Sequence, residues 1–313
     1  MLKARAQLTT EKRNPRSADI DRRSTRQIVA LINAEDRRVL PAVARERARI
    51  AEGVDLIVDA FLRGGRLFYV GAGTSGRLGV LDASECPPTF GTSPSMVQGV
   101  IAGGRRALVR SAEGAEDSAA AGAAALKKKR LTPEDVVVGI AACGLTPFAN
   151  GAVQYARRIG ARTIFVTCAP EAKAHIRADI IINPVVGPEI VTGSTRMKAG
   201  TATKLVLNTL TTAAMIRMGK VYGNLMVDLR ATNRKLRDRA ERIVREATGV
   251  SRARTKLLLD AAQGSTKTAI LMHWRKLTCV EATALLKHSG GSLRRASEQI
   301  SPDEPVAAAP RRG

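Results

Sequence analysis

The run Leu67-Phe-Tyr-Val-Gly-Ala-Gly-Thr-Ser-Gly-Arg-Leu78 carries the densest chemical signal in the chain. An apolar, β-prone stretch empties into a turn of Gly, Thr and Ser and resumes as a helical pattern, which is how a phosphate cradle is built. Gly71, Gly73 and Gly76 permit tight turning and close backbone approach, and Thr74 and Ser75 offer hydroxyl donors. The free N–H groups of the following helix favour an anion. No Lys follows the glycines, which excludes a Walker loop. The spacing Gly71-x-Gly73-x-x-Gly76 matches the dinucleotide fingerprint, but the acidic residue expected about twenty positions on, at the end of a second strand, is missing. A phosphosugar therefore fits better than a nucleotide. The competing reading is an ordinary strand-to-helix turn.

Such a loop needs a scaffold, and 313 residues at 44% hydrophobic are enough to bury one large α/β domain with a smaller helical piece attached. No apolar run reaches membrane-spanning length, and Lys3, Arg5, Lys12 and Arg13 stand where a secretory signal would be hydrophobic. A cytoplasmic protein without membrane attachment is expected. Cys86, Cys143, Cys168 and Cys279 form no C-x-x-C pair, and His175, His273 and His288 are scattered, so neither a disulfide framework nor a metal site is suggested. The net charge of +23 attracts acidic surfaces and nucleic acid. Its clusters at Arg22-Arg23, Arg37-Arg38, Lys127 to Arg130 and Arg234 to Arg245 are dispersed, and aromatics make up only 3%, so stacking platforms for single strands are scarce. Solvated, Arg-rich helix faces explain the charge better than a nucleic-acid partner.

The elements alternate. Residues 1–24 read as a charged arm that frays or packs on a partner subunit, with Asn14-Pro15 breaking any helix. Helical periodicity runs from Thr25 to Leu62, divided at Pro41. Strands are expected at Leu67 to Val70, Met96 to Ala102, Val136 to Ala141, Ala161 to Thr167 and Asp179 to Asn183. Between them come a short helix from Arg77 to Ser84 that Cys86-Pro87-Pro88 ends, a helix near Arg105, and an Ala-rich helix from Ala115 to Lys128. The βαβα order implies a parallel sheet covered on both faces, with ligands at the strands' C-terminal ends. There the second polar loop, Cys143-Gly144-Leu145-Thr146-Pro147, emerges beside the first. Gly193-Ser194-Thr195-Arg196 starts a long helix to about Met218, whose small residues suit close packing across a dimer interface. Residues 25–228 form the phosphosugar domain with its leading helices. Residues 229–300 form a helical region in which 276–298 make a compact bundle that caps or swaps with a neighbour, and 301–313 a disordered tail.

Five segments in order, Gly71 to Gly79, Asp82-Ala-Ser-Glu-Cys-Pro-Pro-Thr-Phe-Gly91, Glu113-Gly-Ala-Glu-Asp117, Gly187-Pro-Glu-Ile-Val-Thr-Gly-Ser-Thr-Arg-Met-Lys-Ala-Gly-Thr201 and Lys220-Val-Tyr-Gly-Asn-Leu-Met-Val-Asp228, together resemble the N-acetylmuramic acid 6-phosphate etherase family. The resemblance spans roughly Asn14 to Ala296. It implies an α/β fold of the sugar isomerase domain group, a flavodoxin-like parallel sheet sandwiched by helices, with a small C-terminal helical domain. It also implies cleavage of the D-lactyl ether at C3 of the sugar phosphate, giving N-acetylglucosamine 6-phosphate and D-lactate, in cell-wall recycling.

That chemistry needs a proton donor at the ether oxygen, a base for the C2 hydrogen and an open ring whose C1 carbonyl acidifies C2. No metal or organic cofactor is demanded. The resemblance assigns Glu85 as proton donor and acceptor; near a helix C-terminus the macrodipole disfavours a negative charge, and two prolines hold the backbone. It assigns Glu116 as base, against the alternative that Glu113, Glu116 and Asp117 are dipole-favoured acids in a helix's first turn. Thr74, Ser75, Thr146, Ser194 and Thr195 are the candidates for the phosphate, with Lys198 either adding charge or solvated. Where the family reads Ser-Gly-Arg-Thr-Pro, Cys143 and Leu145 replace a hydroxyl and a guanidinium at the expected phosphosugar site. A homodimer sharing its active sites is expected, with a phosphosugar as small-molecule partner. The alternatives are a non-catalytic phosphosugar sensor, a sugar phosphate isomerase and a nucleic-acid-binding regulator.

Overall fold

The computed structural model describes residues 7–110, 112–229 and 234–298, and the expected disordered tail at 301–313 lies outside the described residues. The chain divides into two compact units, one holding residues through Pro88 and Thr92–Ala214, the other Thr89–Gly91 and the residues from Met215 on. No helix among the described residues is long and apolar enough to cross a membrane.

In the first unit, β1 (Leu67–Gly71), β2 (Val97–Ile101), β3 (Val136–Ile140), β4 (Arg162–Val166) and β5 (Ile180–Ile182) form one parallel sheet in the order β2-β1-β3-β4-β5. That is the flavodoxin-like order, and it reverses between β1 and β3. Gly71 is in register with Ile101 on one side and Ile140 on the other, so all three strands end level. The strands are apolar and almost wholly buried, as a sheet covered on both faces requires. Around it run α1 (Thr25–Asp36), α2 (Val39–Arg45), α3 (Arg47–Leu62), α4 (Gly73–Phe90), α5 (Ala119–Lys128), α6 (Pro147–Arg158) and the long α7 (Lys198–Arg217).

Four local expectations are corrected. The stretch from Thr25 to Leu62 breaks at Arg37-Arg38 and at Glu46, not at Pro41. Pro41 is the third residue of α2, where a backbone N–H would have no helical acceptor anyway. Helix α4 continues through Pro87 and Pro88 to Phe90. Proline's fixed φ suits a helix, and near the C-terminus only two hydrogen bonds are lost, while Cys86 and Phe90 become buried. The Ala-rich helix starts at Ala119, with Ser118 as its N-cap accepting the Ala121 N–H at 3.0 Å. Glu113, Glu116 and Asp117 therefore lie in the loop before that helix, turned by Gly114 at φ +71, and are not first-turn acids. Finally, the described part of the N-terminal arm docks on its own chain. Leu8 is buried in the main core, the Thr9 N–H and hydroxyl donate to Glu171 at 3.2 and 2.6 Å, and the Ser17 hydroxyl donates to the Ile190 carbonyl at 2.7 Å.

The second unit packs α8 (Arg234–Thr248), α9 (Arg252–Ala261), α10 (Thr266–Arg275), α11 (Cys279–His288) and α12 (Leu293–Glu298) around Val227, Val244, Ile270, Leu271 and Leu293. Its bundle is wider than the expected 276–298. Buried Lys267 bridges Asp228 at 2.9 Å and the Gly291 carbonyl at 2.5 Å.

Two glycines decide where the Glu116 loop sits. A Cβ on Gly122 would overlap the Phe148 carbonyl and one on Gly151 the Ala119 carbonyl, so α5 and α6 touch backbone to backbone. At the end of this contact the Phe148 N–H donates to the Glu116 carbonyl at 3.0 Å. Gly151→Ala must separate the helices; it is expected to lower the free energy of unfolding by about 2 kcal/mol in urea denaturation. The same substitution should change the chemical shift of the Glu116 backbone more than those of β4.

Candidate active site

The loops after β1 and β3 meet at the reversal of strand order, where the splayed connections leave a crevice. A cavity of about 340 Å³ lies there, lined by Ala72, Gly73, Thr74 and Ser75 from the first loop and Ala142, Cys143 and Thr146 from the second. Glu116, Thr195, Leu8 and Glu11 complete it. A second hollow of about 270 Å³ shares Ala72, Gly73 and Glu116 and adds Arg77 and Glu113.

The turn into α4 depends on its glycines. Gly73 adopts φ +52, and a Cβ on Gly76 would stand 2.7 Å from the Gly71 carbonyl and 2.6 Å from Ile101 Cγ1. Helix α4 thus begins one residue after the strand and directs its free N–H groups, with Thr74 and Ser75, into the cavity. Helix α6 brings Thr146 to the cavity, but its first residue, Pro147, has no N–H and the Phe148 N–H is taken by the Glu116 carbonyl. Thr146, the N-cap residue, makes no capping bond with its side chain, and its nearest side-chain partner is Cys143 Sγ at 3.8 Å. Asn150 holds the loop by donating to the Gly144 and Thr146 carbonyls at 2.9 and 3.1 Å. The hydroxyls of Thr74, Ser75 and Thr195 form no hydrogen bond with another described residue. Three unpaired hydroxyls, the Thr146 hydroxyl with only the weak thiol contact, and the open N-terminus of α4 therefore converge, an arrangement that suits a phosphate dianion.

Sequence reasoning located Thr74, Ser75, Thr146, Thr195 and Glu116 in one place, and the structure brings them together. Ser194 does not line the cavity, and neither it nor Thr195 starts the long helix, which begins at Lys198. The N-terminus of α7 is already occupied: buried Glu189 accepts the N–H groups of Lys198 and Ala199 at 3.1 and 2.8 Å. Thr195 reaches the cavity from a turn instead. Leu145 packs against the core and does not line the cavity, whereas Cys143 does.

Glu85 stands apart. It lies eleven residues beyond Thr74 on α4, about 16 Å of helical rise, and is exposed and outside both hollows. One turn earlier on the same helix, Asp82 has the opposite fate. It is buried and accepts from Asn208 at 2.7 Å and from the Thr211 hydroxyl at 3.2 Å, fastening α4 to α7. Burial raises its pKa, and the same desolvation lifts the Cys86 thiol to about 12.

Lys198 is neither solvated nor free to charge the cavity. Only 1% of its side chain is exposed, and its ammonium sits 2.6 Å from Glu35 Oε2 and 2.7 Å from the Pro188 carbonyl. Arg16 Nε donates to Glu35 Oε1 at 2.6 Å, and Asn14 to Oε2 at 2.8 Å. Burial alone would raise the Glu35 carboxyl, but hydrogen bonds from Arg16 and Lys198, the Lys198 charge and Asn14 outweigh it and hold the carboxyl at about 2. This knot joins the arm, α1 and the segment carrying Thr195. It was not legible in the sequence, because nothing local links positions 14, 35 and 198. Glu11 was missed for the same reason. Among the described residues no group of three or more His, Cys, Asp or Glu could hold a metal ion.

A parallel sheet of this order with a donor-lined hollow at its reversal point is the architecture of the phosphosugar-binding sugar isomerase domains. Residues 49–157 match the family model described as the glucokinase regulatory protein N-terminal SIS domain. The chain is 51% identical to N-acetylmuramic acid 6-phosphate etherase of Synechocystis sp., across 95% of this chain and 98% of that one. It is 54% identical to the same enzyme of Gloeobacter violaceus, across 96% and 98%. To that of Jannaschia sp. it is 59% identical, across 84% and 83%. The chain belongs to the N-acetylmuramic acid 6-phosphate etherase family.

Two measurements check the buried knot. Glu35 is depressed from 4.5, so its contribution to stability is full above that pH and fades as pH falls towards about 2. The melting temperature is expected to drop across that window. Lys198→Met, which leaves Glu35 with fewer partners, should destabilise by about 3 kcal/mol, and Glu35→Leu combined with Lys198→Met by less.

Proposed function

We propose that this chain cleaves the D-lactyl ether of N-acetylmuramic acid 6-phosphate, with water, to N-acetylglucosamine 6-phosphate and D-lactate, as a carbon–oxygen lyase of cell-wall amino sugar recycling in the cytoplasm. The observation that carries it is the cavity in which Thr74, Ser75 and Thr195 leave their hydroxyls free beside Thr146 and Glu116, in a chain about half identical to etherases over nearly its full length. The phosphate binds at the N-terminus of α4, between the hydroxyls of Thr74 and Ser75. With the ring open, Glu116 takes the C2 proton, which the C1 carbonyl acidifies, and the C3–O bond breaks as Glu85 protonates the lactate oxygen. Water then adds at C3, giving its proton to Glu85, and C2 recovers a proton from Glu116. Both acids end as they began, as a carboxyl working in both directions requires.

Distance along α4 keeps Glu85 out of its own chain's cavity, which supports a homodimer in which Glu85 serves the partner's site. Leu81, 47% exposed, shares the Glu85 face four residues away and supplies an apolar docking surface. The glucokinase regulatory protein match favours a second reading, a phosphosugar-binding regulator without turnover.

Incubation with N-acetylmuramic acid 6-phosphate and assay of D-lactate separates the two. Lactate release is expected; binding without lactate overturns the etherase. Glu85→Gln and Glu116→Gln should each reduce kcat by at least about a hundredfold. Mixing the two variants after subunit exchange should restore about a quarter of wild-type activity, since half of the dimers are hybrids with one intact site of two. No recovery would return Glu85 to its own protomer's site or remove it from catalysis.

A further inference from the structure

The cavity holds a second carboxylate that neither the fold nor the proposed chemistry uses. Glu11, an exposed residue, lines it from the short turn Thr9–Glu11 of the arm. Its position is set by anchors on both sides. Before it, Leu8 is buried in the core and Thr9 is bonded twice to Glu171. After it, Asn14 donates to Glu35 and to the Pro188 carbonyl, at 2.8 and 3.3 Å, and Arg16 to Glu35. A Cβ added to Gly193 would lie 3.3 Å from Glu11 Oε2, so the carboxylate abuts the turn that delivers Thr195. Every neighbour with a tethering role has a partner, yet the Glu11 carboxylate meets no donor or cation among the described residues.

A carboxylate beside a phosphate site repels the ligand unless it faces the ligand's other end. The free hydroxyls of Thr74 and Ser75 and the open N-terminus of α4 assign the phosphate to the α4 side. An ionised carboxylate only accepts hydrogen bonds, and those it accepts from neutral donors are stronger than neutral pairs. We infer that Glu11 is a specificity-determining contact for the phosphosugar, accepting hydrogen bonds from hydroxyl or amide donors at the end of the sugar remote from its phosphate. The same charge disfavours ligands that present an anion at that end, so an anionic substituent such as a lactyl carboxylate must point away from it. The inference rests on the phosphosugar reading of this cavity, though not on ether cleavage itself.

The test uses the full chain with Glu11→Ala and Glu11→Gln. Calorimetric titration with N-acetylglucosamine 6-phosphate should show Kd raised about tenfold for Glu11→Ala and less for Glu11→Gln, which keeps an acceptor oxygen. Inorganic phosphate, which has no sugar donors, should bind both variants as tightly as wild type or tighter. In turnover with N-acetylmuramic acid 6-phosphate the effect should fall on KM more than on kcat. Unchanged sugar phosphate affinity overturns the inference. So does equal weakening of sugar phosphate and inorganic phosphate, which is the signature of a displaced arm and is what Thr9→Val should give. Wild-type protein that binds the sugar phosphate without releasing lactate refutes the etherase and leaves this inference to the titration. Lactate release with Glu11→Ala indistinguishable from wild type refutes this inference alone.

Discussion

An ammonium group withdrawn from water must find opposite charge and hydrogen-bond acceptors, and Lys198 obliges three distant stretches of chain to supply them. With 1% of its side chain exposed, it is held by Glu35 of α1 and the Pro188 carbonyl, and Glu35 in turn gathers Asn14 and Arg16 of the arm. A pair so buried contributes little net stability compared with apolar side chains of the same size, but any arrangement that leaves one member unpaired is strongly disfavoured. The knot therefore acts on geometry. It fixes where the arm crosses the cavity, where the Gly193–Thr195 turn stands and where α7 begins.

One consequence is that the described residues give the cavity no cation. Lys198 is taken by Glu35, the first N–H groups of α7 by Glu189, and among the described residues no Lys or Arg lines the hollow, Arg77 contributing only to its neighbour. An anion placed there is recognised by neutral donors with fixed directions, namely hydroxyls and backbone N–H groups. Such donors distinguish a tetrahedral phosphate from a planar carboxylate by shape more than by charge. The long-range attraction that a lysine would provide comes instead from the field of a chain carrying +23, much of it on solvated faces such as that of α8.

How much of this was legible in the sequence follows from how local each determinant is. The five strands were readable because apolar runs bounded by Gly and Pro leave few alternatives, and each expected strand overlaps the observed one. The cradle was readable because its glycines, hydroxyls and helix start are contiguous. Pro87 and Pro88 misled because their local penalty is small where a helix is about to end and the burial of Cys86 is gained. The fate of Glu113, Glu116 and Asp117 turned on Ser118, a better N-cap than anything at Ala115. Lys198 and Glu11 were beyond reach: the first depends on positions 14 and 35, the second on an arm whose docking involves Glu171.

The distribution of carboxylates follows from the same constraints. Helix α4 buries Asp82 against α7, where Asn208 and Thr211 hold it, while Glu85, one turn nearer the helix end, is exposed. Glu116 belongs to the cavity because α5 and α6 touch through Gly122 and Gly151 and the Phe148 N–H holds its carbonyl. A single chain thus presents one acid of the motif pair at its cavity and the other on an outer helix face, about 16 Å from the cradle along α4. On the proposed reading this separation has a use. Acids carried on different chains meet at one site only in the dimer. Base and acid can then approach C2 and the C3 ether oxygen from different sides, a geometry that neighbouring residues on one helix could not provide.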